Sequence, residues 1–139
     1  MTMKDYSGGC QCGAVRYTCT AEPLGTVNCH CKNCQGFSGS THVPWFIVPE
    51  AAVSFTGDVK FYSTESDTGR AVKRAHCPAC GTPLYGTSEG LGVVAITAVS
   101  LDDPGWYAPS ANIFTENAHP WVAMDPDLPK FSKSSMPPD

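Results

Sequence analysis

The residues with the most chemistry to offer are the eight cysteines. Seven of them fall in three short runs: Cys10-Gln11-Cys12, Cys29-His30-Cys31-Lys32-Asn33-Cys34 and Cys77-Pro78-Ala79-Cys80-Gly81. A Cys-x-x-Cys followed by Gly is the usual form of a zinc knuckle. Its tight turn brings two thiolates onto one ion, and the glycine permits the backbone conformation that aims amide N–H groups at sulfur. Cys77 and Cys80 thus supply half of a tetrahedral site. Cys10 and Cys12 are the natural other half, because residues two apart on a strand share a face. Closed by four protein ligands, such a site is structural.

The middle run offers three sulfurs and no evident fourth ligand. Strand parity places Cys29 and Cys31 on one side and His30 on the other, and a turn to Cys34 adds the third sulfur. Spacing alone leaves three readings: a catalytic zinc with one open position, a second structural zinc completed by a histidine, or a redox dithiol. The contrast between the clusters suggests two zinc ions of different kinds. Cys19, on the opposite parity from Cys12, reads as a buried small hydrophobe. His30 reads as a neighbour of the metal or an exposed side chain rather than a ligand, and His42, His76 and His119 have no partner at a recognisable spacing. Phe37, Trp45, Phe46 and Trp121 read as core, with Phe37 and Trp45 placed to wall a pocket beside the three-Cys run.

The elements that must position these cysteines are short. Val15, Tyr17 and Cys19 alternate with polar residues along Gly13 to Cys19, the pattern of a half-buried strand. Extended segments are also expected at Thr26 to Cys29, Val43 to Val48, Val53 to Phe55, Val59 to Ser63, Arg70 to His76, Gly92 to Val99 and Ala111 to Phe114. Pro23, Pro49, Gly57-Asp58, Gly69, Pro83, Gly86 and Asp103-Pro104-Gly105 act as breakers between them. One or two helical turns fit only around Cys34 to Ser38. Pro44 lacks the N–H of a ladder residue, which points to an edge strand or a pocket rim. The pattern is that of an all-β domain with little helix.

Composition narrows the partners. The chain has 139 residues, enough for one hydrophobic core, and 13 glycines with 12 prolines favour strands and turns over long helices. Nine Lys and Arg against thirteen Asp and Glu give a net charge of −4 without a basic cluster, which argues against nucleic acid. The most apolar segment, Leu91 to Val99, is about half the ~20 residues of a membrane helix, so no membrane partner is expected. The opening MTMKDYSGGC has no apolar run of signal-peptide length. The expected location is cytoplasmic, where clustered cysteines more often bind metal than form disulfides. Residues 1–131 are expected to form a single zinc-binding domain, and 132–139 a flexible C-terminal tail.

Gly8-Gly9-Cys10-Gln11-Cys12-Gly13-Ala14-Val15-Arg16-Tyr17, the run CHCKNCQGFSGS at 29 to 40 and HCPACGTPLY at 76 to 85 together resemble the glutathione-dependent formaldehyde-activating enzyme (GFA) family. The resemblance continues through Leu101-Asp102-Asp103-Pro104 and more weakly to Pro120-Trp121 and Leu128-Pro129-Lys130-Phe131. It implies a β-tent fold, small antiparallel sheets leaning together around zinc sites. It also implies that Cys10, Cys12, Cys77 and Cys80 hold a structural zinc and that Cys29, Cys31 and Cys34 hold a catalytic one. The implied activity is that of a carbon–sulfur lyase or thiol-adduct enzyme joining glutathione to formaldehyde, with the substrate thiol at an open zinc position. A noncatalytic zinc module for a protein or small ligand is the alternative. The chain departs from the family at Asn112-Ile113, where a His-Ile pair is common, so no acid–base role is carried over to that position.

Overall fold

The computed structural model describes residues 5–66 and 68–134. Among the described residues ten strands form two sheets. The smaller contains β1 (Tyr6–Gly9), β2 (Arg16–Cys19) and β5 (Val53–Thr56), in the order β1-β2-β5 and antiparallel throughout. The larger contains β3 (Gly25–Cys29), β4 (Val43–Pro49), β6 (Lys60–Glu65), β7 (Ala71–His76), β8 (Pro83–Ser88), β9 (Val93–Thr97) and β10 (Asn112–Ile113). Its order is β10-β3-β4-β9-β8-β7-β6, antiparallel except where β10 runs parallel to β3. Among the described residues the one α-helix, α1 (Lys32–Ser38), follows β3 directly, and four single 3₁₀ turns complete an all-β fold.

Strand β4 explains how the core and the cysteines come together. Its apolar run is buried on both faces, as expected of an interior strand covered on each side. Phe46 and Val48 join Tyr17 and Cys19 of β2, Val94 and Ile96 of β9, and Leu101 in the main core. Val43 and Trp45 point the other way, into a second cluster with Val27, Cys29, Cys34 and Ala111. A third cluster, Cys10, Val15, Cys77 and Leu84, sits where the two sheets meet. Cys19 is fully buried among apolar side chains, as its parity predicts.

Three expectations change. Pro44 lies on an interior strand, because Asn28 opposite it gives its amide to Ala111 O and the β9 ladder begins only at Trp45. The missing N–H therefore faces a side where no partner strand runs. Pro83 and Gly86, read as breakers, belong to β8: Pro83 is its first residue, and Gly86 faces the Trp45 indole, where an added Cβ would sit at an ordinary contact distance of 3.6 Å. Trp121 is 71% exposed and stacks on His119 instead of entering the core. Of the expected tail, Ser132 and Lys133 carbonyls accept bonds from Glu116 and Phe114 amides, while 135–139 lie outside the described residues.

At Gly8 the small sheet bridges to Leu101. Tyr17 Oη and Ser100 Oγ share a buried 2.8 Å hydrogen bond, and burial pushes the Tyr17 phenol up to about 12. A methyl group on Gly8 would overlap both the Tyr17 hydroxyl and the Ser100 carbonyl oxygen. Gly8→Ala should therefore cost about 2–4 kcal/mol by forcing β1 off Leu101, read as a lowered denaturation midpoint. A midpoint equal to the parent's would show that the approach is loose.

Candidate metal centres

The first cluster is built by two turns. Beyond β1 the chain folds back through 10–15, with Cys10 N bonded to Val15 O at 3.0 Å and Gly13 N to Cys10 O at 3.1 Å, Gly13 taking a left-handed φ of 83°. Cys10 and Cys12 thus converge through a turn rather than through strand parity. Beyond β7, Cys77 N bonds Thr82 O and Gly81 N bonds Cys77 O, with Gly81 at φ 79°, the knuckle expected from Cys-x-x-Cys-Gly. Amides point at sulfur: Val15 N lies 3.2 Å from Cys10 Sγ, and Ala79 N and Cys80 N lie 3.4 and 3.5 Å from Cys77 Sγ.

The four sulfurs all lie within 4.8 Å of one another, with Cys10–Cys12 at 3.6 Å and Cys12–Cys77 at 3.8 Å. Four sulfurs around zinc at ~2.3 Å have edges of about 3.8 Å, and the described cysteines are all free of disulfides. The donor set fits a divalent ion. Its electrostatics point the same way: the Thr82 hydroxyl helps pull the Cys80 thiol down to about 5. The Ala14 amide also draws Cys12 down, but the Cys10 and Cys80 sulfurs outweigh it and push Cys12 up to about 11. Sulfurs this close cannot all ionise unless a cation sits among them.

The second cluster, Cys29, Cys31 and Cys34, also lies within 4.8 Å. Cys29 ends β3, Cys31 caps α1, and Cys34 turns inward from its first turn. The sulfurs meet because the chain passes from strand to helix, not because Cys31 continues the strand. Cys31 Sγ accepts from Cys34 N at 3.2 Å, and Cys34 Sγ accepts from the Trp45 indole N–H at 3.4 Å. Hydrogen bonds from the Cys29 and Cys34 thiols pull Cys31 down to about 2, whereas Cys31, Cys34 and burial drive Cys29 upward. This donor set too fits a divalent cation, and no fourth cysteine, histidine or carboxylate joins the cluster among the described residues.

His30 is 1% exposed, with Nε2 at 2.8 Å from Asn112 Oδ1, so it is buried beside the cluster rather than ligating within it. Asn112, on β10, holds the imidazole, a role no local spacing reveals. His42 lies with its ring 5.1 Å from that of His30, and burial lowers its pKa. His119 Nε2 bonds Gln35 Oε1 at 2.8 Å, and Gln35 Nε2 donates to the His30 and Asn117 carbonyls, tying the 115–121 segment to α1. Phe37 stacks on Trp45 at 5.9 Å and walls a cleft of about 680 Å³ between α1 and the β6–β7 hairpin.

The residue that sequence reasoning missed is Arg74. From β7 its Nη2 lies 4.0 Å from Cys31 Sγ and 3.9 Å from Cys34 Sγ, while Nη1 donates to Thr64 Oγ1 at 3.2 Å. The signal was present in strand parity, which puts Arg74 on one face with Val72 and His76. His76 and Arg74 both line the cleft.

No helix among the described residues is long and apolar enough to cross a membrane. A solved structure of a Rhodobacter sphaeroides protein shares the fold, with a TM-score of 0.55 and 17% identity over 69% of this chain and 87% of that one. A Penicillium rubens protein named "Putative glutathione-dependent formaldehyde-activating enzyme" is 30% identical over 142 positions, 91% of this chain and 72% of that protein. The family profile described as glutathione-dependent formaldehyde-activating enzyme matches residues 5–117, a span that holds all seven clustered cysteines. The chain therefore belongs to the glutathione-dependent formaldehyde-activating enzyme family.

Proposed function

We propose that this chain is a zinc-dependent carbon–sulfur enzyme, with a structural ion at Cys10, Cys12, Cys77 and Cys80 and a reactive one at Cys29, Cys31 and Cys34. Its substrate is a small thiol, glutathione by family likeness, joined to an aldehyde such as formaldehyde or released from the adduct. The observation that carries this reading is the difference between the clusters. One has four sulfurs; the other has three, no fourth protein ligand among the described residues, and a cleft reached through Arg74. A reducing compartment such as the cytoplasm suits eight free thiols.

Zinc at the three sulfurs would supply the Lewis acidity that keeps a substrate thiol ionised at neutral pH. Three thiolates around a divalent ion leave one net negative charge, which disfavours water activation and keeps sulfur nucleophilic. The chain's own groups temper that charge: the Cys34 amide, the Trp45 indole N–H and the Arg74 guanidinium all face the sulfurs. Phe37 and Trp45 exclude water from one side. In the forward direction the substrate sulfur forms a bond to the aldehyde carbon, the carbonyl π pair moves to oxygen, and the proton lost by the thiol ends there. His30 Nε2 is committed to Asn112 and His42 Nδ1 to Thr41 Oγ1, which leaves His76 as the imidazole lining the cleft.

Purified without chelator, the protein should carry about two zinc ions per chain by elemental mass spectrometry, as one closed and one open site require. Near one would remove the reactive ion, and near zero with thiols missing would replace zinc by disulfides. Cys34→Ser should keep the parent's melting profile and lose at least ~100-fold of the rate of S-hydroxymethylglutathione formation above the spontaneous reaction. Unchanged turnover in that variant would sink the catalytic assignment. Cys77→Ser should yield unfolded or aggregated protein, because it opens the closed site between the sheets. A parent-like melting curve would count against a structural ion there.

A further inference from the structure

Arg74 reaches the three-sulfur cluster from β7, a strand that supplies none of its sulfurs. It pairs with Tyr62 of β6 and Gly86 of β8. Its stem runs over bare backbone: a Cβ added at Gly86 would lie at ordinary contact distance from both Arg74 Cγ, at 3.8 Å, and the Trp45 indole, at 3.6 Å. The two side chains thus cross β8 together and end on the same sulfur, the indole nitrogen at 3.4 Å and Nη2 at 3.9 Å from Cys34 Sγ. Nη2 is shared with Cys31 Sγ at 4.0 Å, and Nη1 is anchored on Thr64 Oγ1 at 3.2 Å. A planar guanidinium held at one nitrogen and shared between two sulfurs at another has little freedom to turn away.

The four-sulfur cluster is surrounded differently. Among the described residues, the groups bonded to its sulfurs, other than the sulfurs themselves, are neutral: the Val15, Ala79 and Cys80 amides and the Thr82 hydroxyl. A closed site needs no more, because its charge is fixed once its four ligands are in place. An open site changes charge with whatever joins it. Three thiolates and a divalent ion carry one net negative charge, and an anion in the fourth position doubles it. A cation beside the sulfurs offsets that second charge and does nothing comparable for a neutral ligand. We infer that Arg74 is a positioning residue of the reactive site: it holds the Cys31 and Cys34 sulfurs and offsets their charge, so that the open position prefers an anion to a neutral ligand. This rests on the reading of an open ion at Cys29, Cys31 and Cys34, and adds to it the group that sets which ligands that ion accepts.

The test uses cobalt-substituted protein, whose visible bands report the ligands of the ion. It is titrated with azide, an anion, with imidazole, neutral at about pH 8, and with 2-mercaptoethanol, a plain thiol. Arg74→Gln, which removes the charge and keeps an N–H donor, should weaken azide binding about tenfold and leave imidazole within about twofold. Arg74→Lys, which keeps the charge and loses the fork, should restore most of the azide affinity. Cobalt content and melting profile are measured in each variant. If Arg74→Gln does not retain cobalt, Thr64→Val decides: freeing Nη1 should reduce the preference for azide severalfold at unchanged cobalt content, and an unchanged preference would overturn the inference. Equal losses for azide and imidazole in Arg74→Gln would reduce Arg74 to a packing role, and undiminished azide binding would show that its charge does not reach the ion. Either result overturns the inference and leaves the thiol reading standing. Azide binding that depends on Arg74, with no band change from 2-mercaptoethanol, would support the inference and sink the thiol reading. Parent bands that respond to none of the three ligands would mean no open position, overturning both.

Discussion

Sulfur atoms do not crowd together without a reason, and two groups of them here are close enough that full ionisation requires a shared cation. That requirement organises the molecule. Cys10 and Cys77 are buried with Val15 and Leu84, so the four-sulfur cluster rests on a small apolar floor at the seam between the sheets. From that seam the main core spreads between Tyr17 of the small sheet and Phe46 and Ile96 of the large one. Thr82 reinforces the seam, accepting from Gln11 N at 3.1 Å and lying 3.1 Å from Cys80 Sγ.

The three-sulfur cluster depends on the large sheet differently. Trp45 packs under it, receives Phe37 on its face, fits against Gly86 and donates its indole N–H to Cys34. One side chain thus couples helix, sheet and sulfur. Asn112 and Gln35 do comparable work from the other side, fixing His30 and the 115–121 segment against α1. The cluster lies between a helix tied down at several points and a strand, β7, that contributes a guanidinium.

Much of this was legible in the sequence because cysteine spacing is a local signal. The knuckle at Cys77 to Gly81 and the grouping of seven cysteines into two sets follow from tight-turn geometry and ligand count. The eight strands expected from alternation are all present, though β2 begins at Arg16, since 10–15 are spent on the turn around Cys10. What could not be read was tertiary. β8 looked broken because Pro83 and Gly86 disfavour a strand locally, while the pairing with β7 and β9 that holds it is not written near them. Pro44 looked like an edge because the length of β9 is not written near it. Arg74, Asn112 and Gln35 gain their meaning from residues that only folding brings near.

The two clusters also differ in how much chain they enclose. Cys29, Cys31 and Cys34 sit within one strand–helix junction, so their grouping asks for almost no loop closure. Cys12 and Cys77 are 65 positions apart, although each half of that cluster is a self-contained turn. Joining the halves closes a long loop whose entropic cost falls on the folding barrier rather than on either turn. The junction can therefore assemble early and independently. The seam, by contrast, closes only when both ends of that long loop are brought together.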